Sequence, residues 1–150
     1  FAVDDSEVRM CTELKGKNSW FLPFNKGNHD GAGNPPNPHG LKTDYLWLEV
    51  LTPRGLTDIR ENYARIVEEK DPRTGKKKRK QVWPRYHQLR LVRQALADVA
   101  ANGAGKRYLI QHSAGSGKTN SIAWTAHFLA DLHVGLDQGG GDGVDLLEGV

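Results

Sequence analysis

Cysteine is nearly absent from this chain. Cys11 is the only one, which excludes an internal disulfide and any metal site built on a cysteine cluster. Long apolar runs are missing too: no stretch approaches the length of a membrane span, and no signal peptide is visible. These two absences fit a reduced, cytoplasmic setting away from membranes. Hydrophobic residues make up only 37% of 150 positions, with 17 glycines, so the buried core is expected to be modest. The six histidines show no metal-ligand spacing. Lys and Arg are missing from the whole segment Asp131 to Val150, although the net charge is +3. The length suits one domain or pieces of two. A first residue that is not Met suggests an excerpt or a processed product.

The basic charge is instead concentrated. Between Lys70 and Lys80 seven Lys or Arg face a single acid, Asp71. Apolar residues in Ala64–Glu69 and Lys78–Trp83 flank the turn signal Asp71-Pro-Arg-Thr-Gly75, which predicts a β-hairpin with a basic tip. Lys76, Lys77, Lys78, Arg79 and Lys80 are the candidate DNA contacts, through phosphates. A solvated loop carries such charge equally well.

Upstream, Phe1-Ala-Val and Glu7 to Thr12 predict two short strands around the turn Asp4-Asp5-Ser6, with Trp20 to Phe24 as a third extended piece. Asn25 to Gly40 is dense in Gly, Asn, Pro and His and reads as a long ordered loop or a linker. Thr43 or Asp44 is placed to cap a helix carrying Tyr45, Leu46, Leu48 and Leu51; Pro53 and Gly55 interrupt it, and a second helix carries Leu56, Ile59 and Tyr63. Asp4, Glu13 and Lys15 have the residue types of a metal-dependent nuclease, but their spacing is short and the tripeptide Glu13-Leu-Lys15 is commonplace.

From Arg85 onward the pattern turns helical, with Leu89, Val92, Leu96 and Val99 on one face until Gly103 and Gly105. Tyr108, Leu109 and Ile110 then read as a buried strand running into Ser113-Ala-Gly-Ser-Gly-Lys-Thr119, followed by a helix marked by Ile122, Ala126, Leu129 and Leu132. Strand, glycine-rich loop, Lys-Thr and helix are the parts of a phosphate-binding loop. Gly115 and Gly117 let backbone N–H groups of Ser113 to Asn120 turn toward one anion, and the following helix start adds its unpaired N–H groups and dipole. Lys118 is expected on the β- and γ-phosphates of ATP and the Thr119 hydroxyl on Mg²⁺. The strict pattern has glycine at 112, where this chain has His112. His112 and His127 are expected in supporting roles. Gln88, a donor and an acceptor in one side chain, is the candidate reader of the adenine edge, with Arg85 or Tyr86 stacking on the base.

In combination these segments resemble the R (motor and cleavage) subunit of type I restriction enzymes. The similarity is carried by Phe1-Ala-Val-Asp-Asp-Ser-Glu-Val-Arg-Met10, Phe21-Leu-Pro-Phe-Asn-Lys-Gly-Asn28, Gly31-Ala-Gly-Asn-Pro35 and Tyr45-Leu-Trp-Leu-Glu-Val-Leu51. It continues in Pro84-Arg-Tyr-His-Gln88 and in Arg107 to Trp124, and covers most of residues 1 to about 133. The resemblance implies an α/β fold. Residues 84–133 would begin a RecA-like P-loop NTPase domain of superfamily 2 helicase type, after a small mixed α+β linking region over residues 1–83. It implies ATP-dependent translocation and cleavage of double-stranded DNA, in company with methylation (M) and specificity (S) subunits. On matching positions it makes Gln88 the adenine reader and gives Lys118 and Thr119 to phosphate and Mg²⁺; the family's nuclease residues would lie upstream of Phe1. A DEAD-like acidic box and the later motor motifs do not occur, so no complete catalytic set is present. Residues 134–150, with six glycines, leave the family pattern and are expected to be an irregular tail after a truncation or frameshift near His133. Other readings stay open: a different superfamily 2 helicase or P-loop ATPase, or a non-enzymatic module that holds DNA or a partner.

Overall fold

Short N-terminal strands pair wherever the sequence alternates or turns. In a computed structural model of the chain, which describes residues 1–29, 31–112 and 115–137, β1 (Ala2–Val3), β2 (Val8–Met10) and β3 (Leu22–Pro23) form an antiparallel sheet in the order β1-β2-β3. The turn between β1 and β2 is held by Asp4, whose carboxylate accepts from the Ser6 and Glu7 backbone N–H groups at 2.7 and 2.8 Å. Those N–H groups hold the exposed Asp4 carboxyl below its ordinary 3.8.

The Gly/Asn/Pro stretch after β3 is no linker. Asn34 is buried; its Oδ1 accepts from Lys26 N at 2.8 Å, and its Nδ2 donates to Ser6 O at 2.9 Å and to Asn25 Oδ1 at 3.0 Å. Asn25 Oδ1 also accepts from Val8 N at 2.8 Å, so one amide pair ties the loop to β2. These bonds satisfy backbone groups that no ladder reaches.

Neither Thr43 nor Asp44 caps a helix in the expected way. Thr43 Oγ1 donates to Asp4 O at 2.8 Å, while Asp44 accepts from Leu41 N at 2.9 Å and Asn37 Nδ2 at 3.3 Å. The following residues form a wide, π-helical turn, Leu46–Val50. Its buried face is Tyr45, Leu46 and Val50, whereas Leu48, expected inward, is 74% exposed. Thr52 caps α1 (Pro53–Asp58) by accepting from Gly55 N at 3.0 Å, with Pro53 in the first turn where it lacks no needed donor. A Cβ on Gly55 would collide with the Glu49 carbonyl, which explains glycine inside a helix. A second π-turn, Ile59–Tyr63, buries Ile59 and Tyr63 as expected but leaves Leu56 41% exposed.

The hairpin forms as read. β4 (Arg65–Lys70) pairs antiparallel with β5 (Lys77–Val82) in the register Arg65↔Val82 to Lys70↔Lys77. Asp71 accepts from Arg73 N at 2.8 Å and Thr74 N at 3.2 Å, and Gly75 closes the turn at φ +68°. β4, β5 and the elements before them belong to one unit, Phe1–His87; a second unit begins at Gln88.

The core of the first unit is Val8, Met10, Phe24, Tyr45, Leu46, Val50, Ile59 and Tyr63. Tyr45 donates from its hydroxyl to Phe24 O at 2.7 Å, and burial pushes its pKa up to about 12. Lys26 Nζ sits 5.0 Å from the Tyr45 ring centroid and 2.6 Å from Glu49 Oε1, while Tyr86 donates to Glu49 Oε2 at 3.0 Å. Glu49 thus takes two partners within the first unit, the second of them, Tyr86, the first residue of α2 (Tyr86–Asn102).

Two outcomes are expected. Asn34→Ala leaves several buried polar groups unpaired and costs about 2 kcal/mol or more in chemical denaturation, against about 1 for the half-buried Asn37→Ala. The Asp4 and Asp71 carboxyls both lie below their ordinary value through backbone N–H donors, so their stabilisation is full above pH 3.8 and lost as pH falls through the lower folded values. Amide protection at Ser6, Glu7, Arg73 and Thr74, normalised to intrinsic exchange, is expected to fall below that pH; unchanged protection contradicts it.

Candidate phosphate-binding loop

The second unit is built from α2 from Gln88 onward, an extended connection and α3 (Lys118–Asp137). On α2, Leu89 and Val92 are buried and Leu96 and Val99 half-buried, so the expected face is the inner one. On α3 the expected face holds only in part. Leu129 and Leu132 are half-buried as expected, but Ile122 is 68% exposed and Ala126 exposed, while Ser121 and Trp124 are buried and Phe128 is half-buried. In the first turns one large aromatic outweighs the two aliphatic residues of the neighbouring stripe, because Trp buries more area. The helix continues past the boundary expected at 133, to Asp137; residues 138–150 of the expected tail lie outside the described residues.

Tyr108, Leu109 and Ile110 form no strand, and are 49%, 95% and 44% exposed. A buried parallel strand needs hydrogen-bonded neighbours on its edges and cover on its faces, and among the described residues the second unit has no other strand. The segment is held instead by its polar ends. Lys106 Nζ donates to Asp98 Oδ1 at 2.8 Å, the Tyr108 hydroxyl to Asp98 Oδ2, and Asn102 Nδ2 to Asp98 Oδ1 at 2.8 Å. Lys106 and then Tyr108 hold the Asp98 carboxyl below its ordinary value, and Asp98 raises the Tyr108 phenol.

Beyond it the chain turns on glycine. Gly115 and Gly117 lie at φ +71° and +82°, a region that costs other residues steric energy. Ser116 between them is buried, and α3 starts at Lys118. The Gly117 carbonyl accepts from Asn120 N at 3.0 Å and Ser121 N at 3.3 Å, opening the helix. The start of α3 thus stands directly after the glycine turn, and a helix N-terminus with its dipole is a place where anions bind. Ser113 and Ala114 of the expected site lie outside the described residues.

The structure brings Gln88 to this loop. Its side chain is 2% exposed, and Nε2 donates to Gly117 O at 2.8 Å and to Ser116 O at 3.4 Å. Sequence reasoning assigned Gln88 to adenine and did not foresee this backbone tether; only its spacing from the loop hinted at a shared site. Arg85 is half-buried just before α2, in the first unit. Lys118 is exposed and its Nζ donates to His112 O at 2.8 Å, closing the loop on itself through the backbone of the residue that replaces glycine. Thr119 and Asn120 are exposed on the first turn. His127 pairs with Asp131 at 3.7 Å on the α3 surface.

No nuclease centre assembles from Asp4, Glu13 and Lys15. Asp4 is spent on its turn and Glu13 pairs with Lys15 at 2.8 Å. Among the described residues no cluster of His, Cys, Asp or Glu could hold a metal ion. Nor, among them, is any helix long and apolar enough to cross a membrane. No family model, curated protein or solved structure matches the chain.

The tether makes a coupling measurable. A Cβ on Gly117 would sit 2.6 Å from Gln88 Nε2. Gly117→Ala is expected to destabilise the second unit by about 1–2 kcal/mol from backbone strain plus this clash. Adding Gln88→Ala removes the clash but not the strain, so the double variant is less destabilised than the sum of the singles by about 1 kcal/mol. Strict additivity in denaturant melts contradicts the contact.

Proposed function

We propose that the loop from Ser113 to Asn120 binds the phosphates of ATP with Mg²⁺, as the first half of the nucleotide site of a DNA-translocating motor. The observation that carries this is the pair of positive-φ glycines, Gly115 and Gly117, feeding a helix that begins at Lys118. The fold expected with it is a RecA-like α/β domain. Lys118 is exposed on the first turn of α3, and its ammonium, which donates to His112 O at 2.8 Å, would turn to an incoming phosphate. Thr119 would hold Mg²⁺ together with phosphate oxygens; the ion supplies neutralisation of phosphate charge. Gln88 sets the loop's shape through Gly117 O and can meet adenine only by giving up or sharing that bond.

The parent activity we assign is that of the R subunit of a type I restriction enzyme, cytoplasmic and acting on duplex DNA with M and S subunits. Its support is the resemblance carried by the segments from Phe1 to Trp124. For these 150 residues we expect ATP binding without turnover. Hydrolysis needs groups that orient water and neutralise transition-state charge, and no acidic box of that kind occurs in the sequence. A second reading, a non-enzymatic module holding nucleic acid or a partner, is favoured by one observation, the exposed basic hairpin.

Equilibrium binding of ATP with Mg²⁺ is expected to weaken by at least about tenfold in Lys118→Ala, since a charge-assisted bond contributes about 1.5–3 kcal/mol. Phosphate release in the presence of DNA is expected to stay at background. Sustained hydrolysis abolished by Lys118→Ala would refute the claim of binding without turnover, and ATP affinity indifferent to Lys118 would refute the site.

A further inference from the structure

We propose that the β4–β5 hairpin is a two-sided probe that lies in the major groove of duplex DNA, with each of its faces toward one of the two flanking phosphate rows. The choice of DNA rests on the reading above. The ribbon itself uses no residue of the phosphate loop, so the two ideas can fail separately.

The pairing register carries the argument. Residues directly opposite one another share a face, so Arg65, Glu69, Lys78 and Lys80 lie on one side, and Glu68, Lys70, Lys77 and Arg79 on the other. Each face therefore holds three cations and one acid. Glu68 pairs with Lys77 at 3.2 Å and Arg79 at 3.3 Å, and Glu69 with Lys80 at 3.8 Å, which leaves a positive surplus on both sides. Among the described residues Lys70, Arg73, Lys76 and Lys78 make no salt bridge. Asp71, the one acid of the tip, is turned onto backbone N–H groups.

A surface strand normally buries one face and charges the other. No residue of β4 or β5 is buried, and Ile66 is 72% exposed. A bare two-stranded ribbon is marginal in water, so a ribbon with cations on both faces is suited to a partner that is anionic on both sides. The major groove is such a partner. It is roughly 12 Å wide, takes a two-stranded ribbon, and has a phosphate row along each rim. Six residues per strand, at about 3.4 Å each, reach roughly 20 Å, enough to run along it.

The side chains also select the form of nucleic acid. Single strands are held by stacking on aromatic rings, and residues 65–82 contain no aromatic residue. Lysine dominates the cations, and its point charge suits phosphates rather than paired hydrogen bonds to base edges. Binding is accordingly to duplex and independent of sequence.

The test is fluorescence anisotropy of the whole chain with labelled duplexes of unrelated sequence, without nucleotide, across about 50–200 mM salt. Lys78→Gln/Lys80→Gln on one face and Lys77→Gln/Arg79→Gln on the other should each weaken binding about tenfold and reduce the salt slope by roughly 2. Lys78→Arg/Lys80→Arg keeps the charge and should keep the slope, which separates charge loss from damage to the hairpin. Lys15→Gln/Lys17→Gln, exposed cations elsewhere, should change nothing. ATP binding by the hairpin variants, measured in parallel, should be unaltered. The proposal is overturned by a wild-type chain that ignores duplex, or by loss confined to one face. Equal affinity for single strands or for anionic vesicles overturns it as well.

Discussion

The Gly117 carbonyl is the acceptor on which the second unit depends. It takes one hydrogen bond from the Gln88 side chain on α2 and two from the first turn of α3. Both helices are therefore tied to a single peptide group. Gly117 sits at φ +82°, a torsion that glycine adopts without the steric cost other residues meet, and with it the carbonyl reaches the Gln88 amide. Gly117 is also one of the two positive-φ glycines on which the proposed phosphate site rests.

The first unit solves a different problem, how to order a stretch that cannot form a ladder. Asn25 and Asn34 stand in for strand neighbours, bonding Val8, Lys26 and Ser6 backbone groups, while Tyr45 closes onto Phe24. Glu49 then takes Lys26 and Tyr86 at once. Asn34 and Tyr45 are buried, which raises the cost of leaving their bonds unmade.

Local signals were legible and non-local ones were not. The three short strands, the hairpin with its turn and the glycine loop each announce themselves within a few residues, through turn chemistry or torsional need, whereas the Thr52 cap before Pro53 did not, since Pro53 reads first as a break. The role of Asn34 was illegible, because its partners lie up to 28 positions away and composition reads that stretch only as loop. On α3, Leu129 and Leu132 face inward as their spacing suggests, but Ile122 and Ala126 do not, because periodicity weighs them against Trp124 by count whereas burial weighs by area. Tyr108 to Ile110 has the pattern of a core strand, yet pattern alone cannot supply the neighbours a parallel strand needs. Of the candidate site, the loop residues and the helix start were readable from spacing. That Gln88 bonds the loop's own backbone was not, since an amide beside a phosphate loop offers bonds to base and backbone alike.

The central claim is that Gly115 to Asn120 and the start of α3 receive a nucleotide's phosphates. Backbone amide chemical shifts, followed while ATP and Mg²⁺ are titrated into the isotope-labelled chain, test it most directly. The account predicts saturable shifts at Gly115, Ser116, Gly117, Lys118 and Thr119, with a secondary response at the Gln88 side-chain amide as its bond to Gly117 changes. Shifts confined to Lys76 to Lys80, the place where any polyanion would collect, or none at the loop, would contradict it.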